Sequence, residues 1–526
     1  MKSFFRNLGS DFPASIVVLL VALPLCLGIA LGSNAPLFSG IIAGIAGGIV
    51  IGLLSGSHLS VSGPAAGLTV SVAAGIAKAG TYEVFLVSVV LAGMLQIGFG
   101  FLRAGVLGDF VPNSVIKGML AAIGIILILK QLPHLVGYDA DFEGDEAFIQ
   151  PDSENTFTEI FKALNYIEPG AVVIGLICLG ILILWELKFM KSIKALQLVP
   201  GPLAAVVAGT VLNQVFMNSQ PFLALEASHL VALPVASDAR EFLTFFTLPN
   251  FSAIGNAAVW TTALTLALVA SLETLLSIEA VDKLDPLKRV TPNNRELKAQ
   301  GIGNMVSGLL GGLPVTSVIV RSSANVNSGG KTKASAVLHG VLMLACVSLI
   351  PWLFNKIPLA ALAAVLIFVG YKLAKITLFK EFYAKGFDQF VPFLITILAI
   401  LFTDLLEGII IGILVGLFFM LRSNFRSALL VVKDTNNHYL VRLRKDVTFL
   451  NKPLVKQTLE QIPENAKVII DVSPAEFIDQ DIVDSINEFL AHAHLKNIRV
   501  AIEKSQHKKA HANFITPVLP EDISTI

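Results

Sequence analysis

The chain has 526 residues, of which 54% are hydrophobic and 14% charged, with a formal net charge of zero. That charged share is about half of what a soluble domain carries, which excludes a water-soluble globule and an intrinsically disordered chain. The balanced charge gives no footing for nucleic-acid binding, so the apolar mass must face lipid.

A helix needs about 20 apolar residues to cross a bilayer. Windows of that kind fall near 12–31, 37–55, 62–78, 84–102, 113–132, 168–187, 198–217, 256–278, 299–312, 314–328, 334–354, 357–374, 389–403 and 407–425, which predicts fourteen spans. The first window is too long for a signal peptide's apolar stretch, no A-x-A site follows it and more spans come after it. It is expected to be a retained span. Cys26, Cys178 and Cys346 each lie inside an apolar run, with no CxxC or Cys/His cluster, so neither a disulfide framework nor a structural zinc is expected.

Loop charge sets orientation. From His134 to Pro169 there are nine acidic residues (Asp139, Asp141, Glu143, Asp145, Glu146, Asp152, Glu154, Glu159, Glu168) against Lys162 alone, which predicts an outer loop. Lys188, Lys191 and Lys194, then Lys283, Lys288, Arg289, Arg295 and Lys298, then Lys331 and Lys333 mark inner loops. Fourteen spans then place both termini in the cytoplasm, in agreement with Lys2 and Arg6.

Near Arg426 the character changes, and 432–526 reads as a small cytoplasmic α/β domain. Two β-rich runs flank Asp434-Thr435-Asn436-Asn437 as a hairpin. LVKQTLEQI and DIVDSINEFLAHAHL have helical periodicity, while AKVIIDVS and IRVAIEK read as strands, an alternation that implies a sheet covered by helices.

Residues 1–430 also repeat themselves, in halves at about 10–220 and 250–428. SHLSVSGPAAGLTVSVAAG breaks its span at Pro64, and GLLGGLPVTSVIVRSSANVNSGG breaks at Pro314, about 250 residues later. An odd number of spans per half inverts the second copy. Gly/Pro breaks at matching positions of two halves point to a transporter's substrate site. A helix that starts inside the membrane leaves first-turn N–H groups unpaired, and with the helix dipole these favour an anion. The expected anion site is Ser62, Gly63, Pro64, Ala65, Ala66 and Gly67 at the first break and Pro314, Val315, Thr316, Ser317 and Val318 at the second. The alternative is that both motifs merely kink packed helices.

Arg321 lies inside the tenth span, where a charge is costly, and is expected to face a wet cavity or an acidic partner and to raise the positive potential. Glu273 is the one acidic residue deep in the eighth span. Burial favours its protonated form, so it is expected to carry a coupling proton, or to sit charged against Arg321 or a sodium ion. Thr274 and Ser277 offer oxygens, Ser277 from one turn along the same face. On the 250-residue offset Glu273 matches Leu23, so the two halves differ where coupling needs it. His58, His134 and His339 are expected to be structural. Asn325 and Asn327 are expected to cap or pack, and Asp404 and Glu407 to lie in a short outer loop.

At these residues the chain resembles the SulP anion transporters, whose animal relatives include prestin and pendrin. The resemblance rests on VALP in span one, SGPAAG in span three, SLETLLS in span eight, GLPVTSVIVRSSANVNSGGKT in span ten and a C-terminal STAS-like domain. It implies an α-helical polytopic fold of fourteen transmembrane spans as a seven-plus-seven inverted repeat. Spans 1–4 and 8–11 would form a core, and spans 5–7 and 12–14 a gate. It also implies sulfate, bicarbonate, chloride, oxalate or dicarboxylate as substrate, a homodimer and an elevator-like movement of the core. Departures are specific. Leu25 follows Pro24 where many relatives have Gln. Val315 and Ser317 replace glycines of span ten, which implies a tighter pocket. Ala65 and Glu273 stand where sodium-coupled bicarbonate relatives have Thr and Asp. The span-ten version resembles a bacterial subgroup linked with carbonic anhydrase, which favours bicarbonate. In the STAS-like domain Gln480 and Asp481 follow Phe477-Ile478-Asp479 where relatives have a phosphorylatable residue, so Asp481 would supply a permanent charge.

The expected function is secondary active transport of a small inorganic oxyanion across a bacterial plasma membrane, with no enzyme activity and no cofactor beyond H⁺ or Na⁺ as coupling ion. A regulatory protein is a possible partner of the STAS-like domain. The rival readings are an uncoupled anion channel or exchanger, a dicarboxylate transporter, a nucleobase transporter and a membrane-anchored regulator.

Overall fold

A computed structural model describes residues 7–140, 148, 155–187, 189–190, 199–236, 238–426, 429–434, 437–444, 446–505 and 513–515. Lys2, Arg6, Asp141, Glu143, Asp145, Glu146, Asp152, Glu154, Lys188, Lys191, Lys194, Thr435 and Asn436 therefore lie outside the described residues. The chain divides into two units, Met1–Leu414 and Val415–Ile526.

Each of the fourteen apolar windows is helical. In chain order the helices are α1 Leu8–Gly32, α2 Leu37–Leu54, α3 Ala66–Ala79, α4 Tyr82–Phe101, α5 Asn113–Leu135, α6 Pro169–Glu186, α7 Gly201–Ser219, α8 Ala257–Leu284, α9 Asn293–Leu310, α10 Ile319–Asn327, α11 Ala334–Leu349, α12 Leu359–Leu373, α13 Phe387–Phe402 and α14 Leu405–Arg426. Seven helical stretches among the described residues are long and apolar enough to cross a membrane, by length and composition. α3 and α10 are short for a reason. Each follows an extended stretch that holds a proline, and Pro64 and Pro314 each lie five residues before a helix proper, at Thr69 and Ile319. Proline cannot donate to a helix ladder and biases the residue before it towards extended backbone. The α9 helix starts at Asn293, six residues ahead of its apolar window, because its first turns are polar.

Glycines let the helices meet backbone to backbone. A Cβ on Gly93 of α4 would lie 2.5 Å from the carbonyl oxygen of Gly301 on α9, and one on Gly48 of α2 would lie 2.6 Å from Cα of Gly340 on α11. Gly124 of α5 meets Gly370 of α12 in the same way. These crossings are related by exchange of the halves, the matching glycines (Gly48 and Gly301, Gly93 and Gly340, Gly124 and Gly370) lying about 250 residues apart. Small residues that allow close approach are the usual adhesive between helices in lipid.

The loop expected to be outside carries structure of its own. Asn155 caps a short helix, Thr156–Ala163, whose Glu159 is buried and lies 3.9 Å from Lys130 on α5. His134 has a partner and a counterpart: the Asp139 carboxylate bridges Nδ1 of His134 and Nδ1 of His229, each at 2.6 Å. Asp404 accepts the Glu407 N–H at 2.8 Å, as a start to α14. Asn325 donates to the Leu59 carbonyl and is buried.

The second unit holds a four-stranded sheet in sequence order: β3 Leu429–Lys433, β4 His438–Leu443, β5 Lys467–Asp471 and β6 Arg499–Glu503. The β3–β4 pair is the expected hairpin, and β4–β5 and β5–β6 are parallel. Alternate residues Val441, Val468, Ile470 and Val500 are buried with the apolar faces of two helices, α15 Lys452–Glu460 and α16 Gln480–His492. Asp481 sits in the first turn of α16, 3.5 Å from Lys452, and both side chains are exposed.

At the end of β5, Asp471 is buried, accepts from Ser473 Oγ at 2.6 Å and N–H at 3.0 Å, and lies 2.5 Å from Arg442 Nε. Burial alone pushes this carboxyl up, but the Ser473 and Arg442 hydrogen bonds outweigh it and hold it below the usual carboxylate range. The unfolded chain therefore takes up this proton at higher pH than the folded one does. The stabilisation is complete above the ordinary carboxylate range and disappears as pH falls through the depressed value. Asp471→Ala is expected to cost about 1–3 kcal/mol at neutral pH. Thermal unfolding of the second unit should also lose part of its acid sensitivity, and an unchanged acid limb would refute the assignment.

Candidate functional site

Two short strands hold the site together. β1 Ser62–Gly63 and β2 Thr316–Ser317 pair antiparallel, Ser62 opposite Ser317 and Gly63 opposite Thr316. The pair sets the starts of α3 and α10 beside one another. Neither start has a side-chain cap: Ala65 precedes the opening turn of α3, and Val318 precedes α10. First-turn N–H groups have no acceptor within their own helix, so two uncapped helix starts converge on one place inside the bundle.

The expected residues divide into two groups. Ser62, Gly63, Thr316 and Ser317 form the ladder, and their groups are largely committed. Ser317 Oγ lies 2.5 Å from Ser60 Oγ, Ser317 N–H donates to Thr274 Oγ1 at 3.3 Å, and Ser62 Oγ accepts from Gln300 at 2.7 Å. Val315 is buried and bonded to Asn304, and Val318 N–H donates to the Val61 carbonyl. Pro64, next after β1, and Pro314, two residues before β2, are buried. Ala65, Ala66 and Gly67 occupy the opening of α3, where Gly67 is exposed.

Arg321 is on the first turn of α10 and is fully buried. Of the two settings expected for it, the acidic partner is not found: Arg321 forms no ion pair with a carboxylate among the described residues. Its guanidinium lies over Gly63, where a Cβ would come within 1.8 Å of Nη1, and Nη2 donates to the Pro64 carbonyl at 3.3 Å. Nε and Nη1 have no hydrogen-bond partner among the described residues. A delocalised positive charge is thereby held against the strand pair, with donor capacity to spare.

Glu273 comes from the other side. Its carboxylate rests on Gly67, whose Cβ would lie 3.2 Å from Oε1. Glu273 and Ser277, one turn apart, line a small cavity with Gly67, Met119, Val269, Leu276, Leu405, Leu406 and Ile409, with room of about 10 Å³ for a water-sized occupant. Thr274 points elsewhere. One residue along a helix is about 100° of rotation, and Thr274 is fully buried against β2. It belongs with the strand and not with Glu273 and Ser277.

A polar stripe on α9 was not singled out from sequence. Glu296, Gln300, Asn304 and Ser307 are buried at spacings of four, four and three. Glu296 accepts from Ser55 Oγ at 2.5 Å, Gly56 N–H at 3.2 Å and Gln300 at 3.1 Å, and Ser307 donates to the Leu313 carbonyl at 2.6 Å. The stripe holds the extended lead-ins to both strands. Its signal in the sequence is helical spacing of polar residues in an otherwise apolar span.

Comparison with known proteins follows the same pattern of motifs. Residues 8–396 match the model of the sulfate permease family, and residues 430–513 match the STAS domain. The chain belongs to the sulfate permease family. It is 29% identical over 418 residues to a putative sulfate transporter, YvdB, of Bacillus subtilis, covering 79% of this chain and 74% of that one. It is 28% identical over 426 residues to the bicarbonate transporter BicA of Picosynechococcus, covering 79% and 70%. It is 25% identical over 524 residues to a sodium-independent sulfate anion transporter of Bos taurus, covering 94% and 83%. Among solved structures, the transmembrane domain of a cyanobacterial BicA aligns with TM-score 0.52 at 24% identity over 78% of this chain and 98% of that one. SLC26A9 aligns with TM-score 0.63 at 15% identity over 98% and 86%. The fold is therefore the helical polytopic one of these transporters with a C-terminal STAS domain, and the family is one of sulfate and bicarbonate transporters.

Proposed function

We propose that this protein is a secondary active transporter of a small inorganic oxyanion, bicarbonate or sulfate, driven by H⁺ or Na⁺. The observation that carries the reading is the convergence of two uncapped helix starts with the buried Arg321 guanidinium. Helix starts and a guanidinium both favour negative charge. Glu273, on the far side of Gly67, is the group that takes the coupling ion, with Ser277 as a second oxygen donor.

In this reading α1–α4 and α8–α11 move as one body past α5–α7 and α12–α14. Two cavities on the seam between these sets support it. One, of about 270 Å³, lies between α1 and α10 on one side and α6, α7 and α12 on the other. The second, of about 240 Å³, lies towards the opposite end of α1, facing His134 of α5 and Leu359 of α12. A homodimer in a bacterial plasma membrane with cytoplasmic termini, and a regulatory partner at the STAS domain, complete the reading.

Uptake of radiolabelled bicarbonate and sulfate into proteoliposomes, with pH and sodium gradients imposed separately, tests it. Concentrative uptake that follows one of the two gradients is expected. Voltage-driven current indifferent to both would replace it with the channel reading.

A further inference from the structure

Asn304 meets the peptide of Val315 with both ends of its amide. Oδ1 accepts the Val315 N–H at 2.5 Å, and Nδ2 donates to the Val315 carbonyl at 2.9 Å. A side-chain amide thus pairs with Val315 much as a neighbouring strand would, one residue before β2 begins. Nδ2 also donates to Gln96 Oε1 on α4 at 2.7 Å, and Gln96 Nε2 reaches Ser271 Oγ on α8 at 3.4 Å. From α8 the path returns to β2, because Thr274 Oγ1 accepts the Ser317 N–H at 3.3 Å. Hydrogen bonds from Val315 through Asn304 and Gln96 to Ser271, and from Thr274 to Ser317, are joined into a closed circuit by the main chain of α8 and of β2, and all six residues are buried. Ser271 and Thr274 stand on either side of Glu273 in the sequence.

We infer that Asn304 is a positioning residue for transport, fixing the β2 segment that launches α10 and tying it to the part of α8 that carries Glu273. The inference rests on the anion-transport reading above. Its physical basis is that β2 has only two residues and pairs with a strand equally short. Such a ladder does not hold its register alone. The circuit supplies the missing constraint, and it makes the displacement of the anion-binding segment and that of the Glu273 segment one event.

The test is Asn304→Asp in the full chain, in proteoliposomes, with Asn304→Leu and Gln96→Leu beside it. An ionised aspartate still accepts the Val315 N–H but loses the donor to the Val315 carbonyl and Gln96, and a protonated one regains a donor. The charged groups on the elements around it are Arg295, Glu296 and Lys298 on the same helix, Glu83 on α4, Glu273, Glu279, Asp282 and Lys283 on α8 and Arg321 on α10, and the hydrogen bonds of the Asn304 side chain go to none of them. A carboxyl kept from water holds its proton to higher pH than a free one, and position 304 is buried, so with wild type normalised at each pH N304D is expected to raise KM for the anion at least about tenfold at pH 7.5 and to recover most of that loss by pH 5.5. N304L is expected to lose affinity without recovery, and Q96L to show a smaller loss of about threefold. A well-folded N304D with wild-type KM, or an equal, pH-independent loss in N304D and N304L, would overturn the inference. Absence of uptake by wild type would instead refute the transport reading on which it stands.

Discussion

Arg321→Gln is expected to lower anion uptake by about 10–100-fold, the worth of one charge-assisted contact of 1.5–3 kcal/mol. The glutamine keeps a donor and much of the volume but removes the positive charge beside the two helix starts. Arg321→Lys should recover only part of the loss, because an ammonium cannot both span Gly63 and reach the Pro64 carbonyl as a planar fork does. Gly63→Ala gives an independent test with no change in charge. The added methyl would lie 1.8 Å from Nη1 and 2.7 Å from Cζ of a fully buried side chain, so the guanidinium must leave its place. Overpacking of this kind costs about 1–3 kcal/mol. The uptake lost in Gly63→Ala should therefore resemble that lost in Arg321→Gln, while detergent-purified protein remains monodisperse. Wild-type uptake in either variant would remove Arg321 from the site.

The second large effect concerns Glu273. Glu273→Gln mimics the protonated side chain permanently, so the variant can complete the anion's journey but cannot load and release the coupling ion. Concentrative uptake should collapse, while exchange of labelled for unlabelled anion across the same vesicles persists. The size of the effect follows from the membrane potential. Moving one negative charge inward against 100 mV costs about 2.3 kcal/mol, which without a compensating cation is roughly a fiftyfold deficit in accumulation. An accumulation ratio equal to that of wild type would show that Glu273 is not the coupling group.

Much of this architecture is legible in the sequence because a bilayer imposes a length. All fourteen apolar windows hold a helix, including the broken ones, and the prolines at 64 and 314 mark the breaks. Their effect is displaced, however. Each proline belongs to the non-helical lead-in, just after β1 for Pro64 and just before β2 for Pro314, and the helix proper starts five residues later. Ser62 and Ser317 pair across nearly half the chain through strands of two residues, and no local pattern announces that. The α9 stripe was missed for a different reason. A hydropathy scan treats Glu296, Gln300 and Asn304 as interruptions of a span, whereas their four-residue spacing puts them on one face. Thr274 was grouped with Glu273 by adjacency, although adjacency on a helix means divergence. The partners of His134 are not legible in the sequence, because its carboxylate partner follows the end of α5 and its sister imidazole comes from the segment after α7.

The glycine crossings have a consequence for how temperature and lipid affect the protein. Where Gly93 meets Gly301 and Gly48 meets Gly340, main chain touches main chain with no rotamer in between. Contacts of that kind have no side-chain states to melt or freeze, so in the proposed transport cycle cooling or a thicker bilayer is expected to leave the shape of the α1–α4 and α8–α11 body unaltered. The boundary along which the proposed movement would run is lined instead by jointed side chains such as Trp185, Met190, Phe368 and Lys372. Cold sensitivity and lipid dependence of turnover should therefore originate at that boundary, and fluidity of the surrounding acyl chains should set the pace of the stroke without altering what the stroke carries.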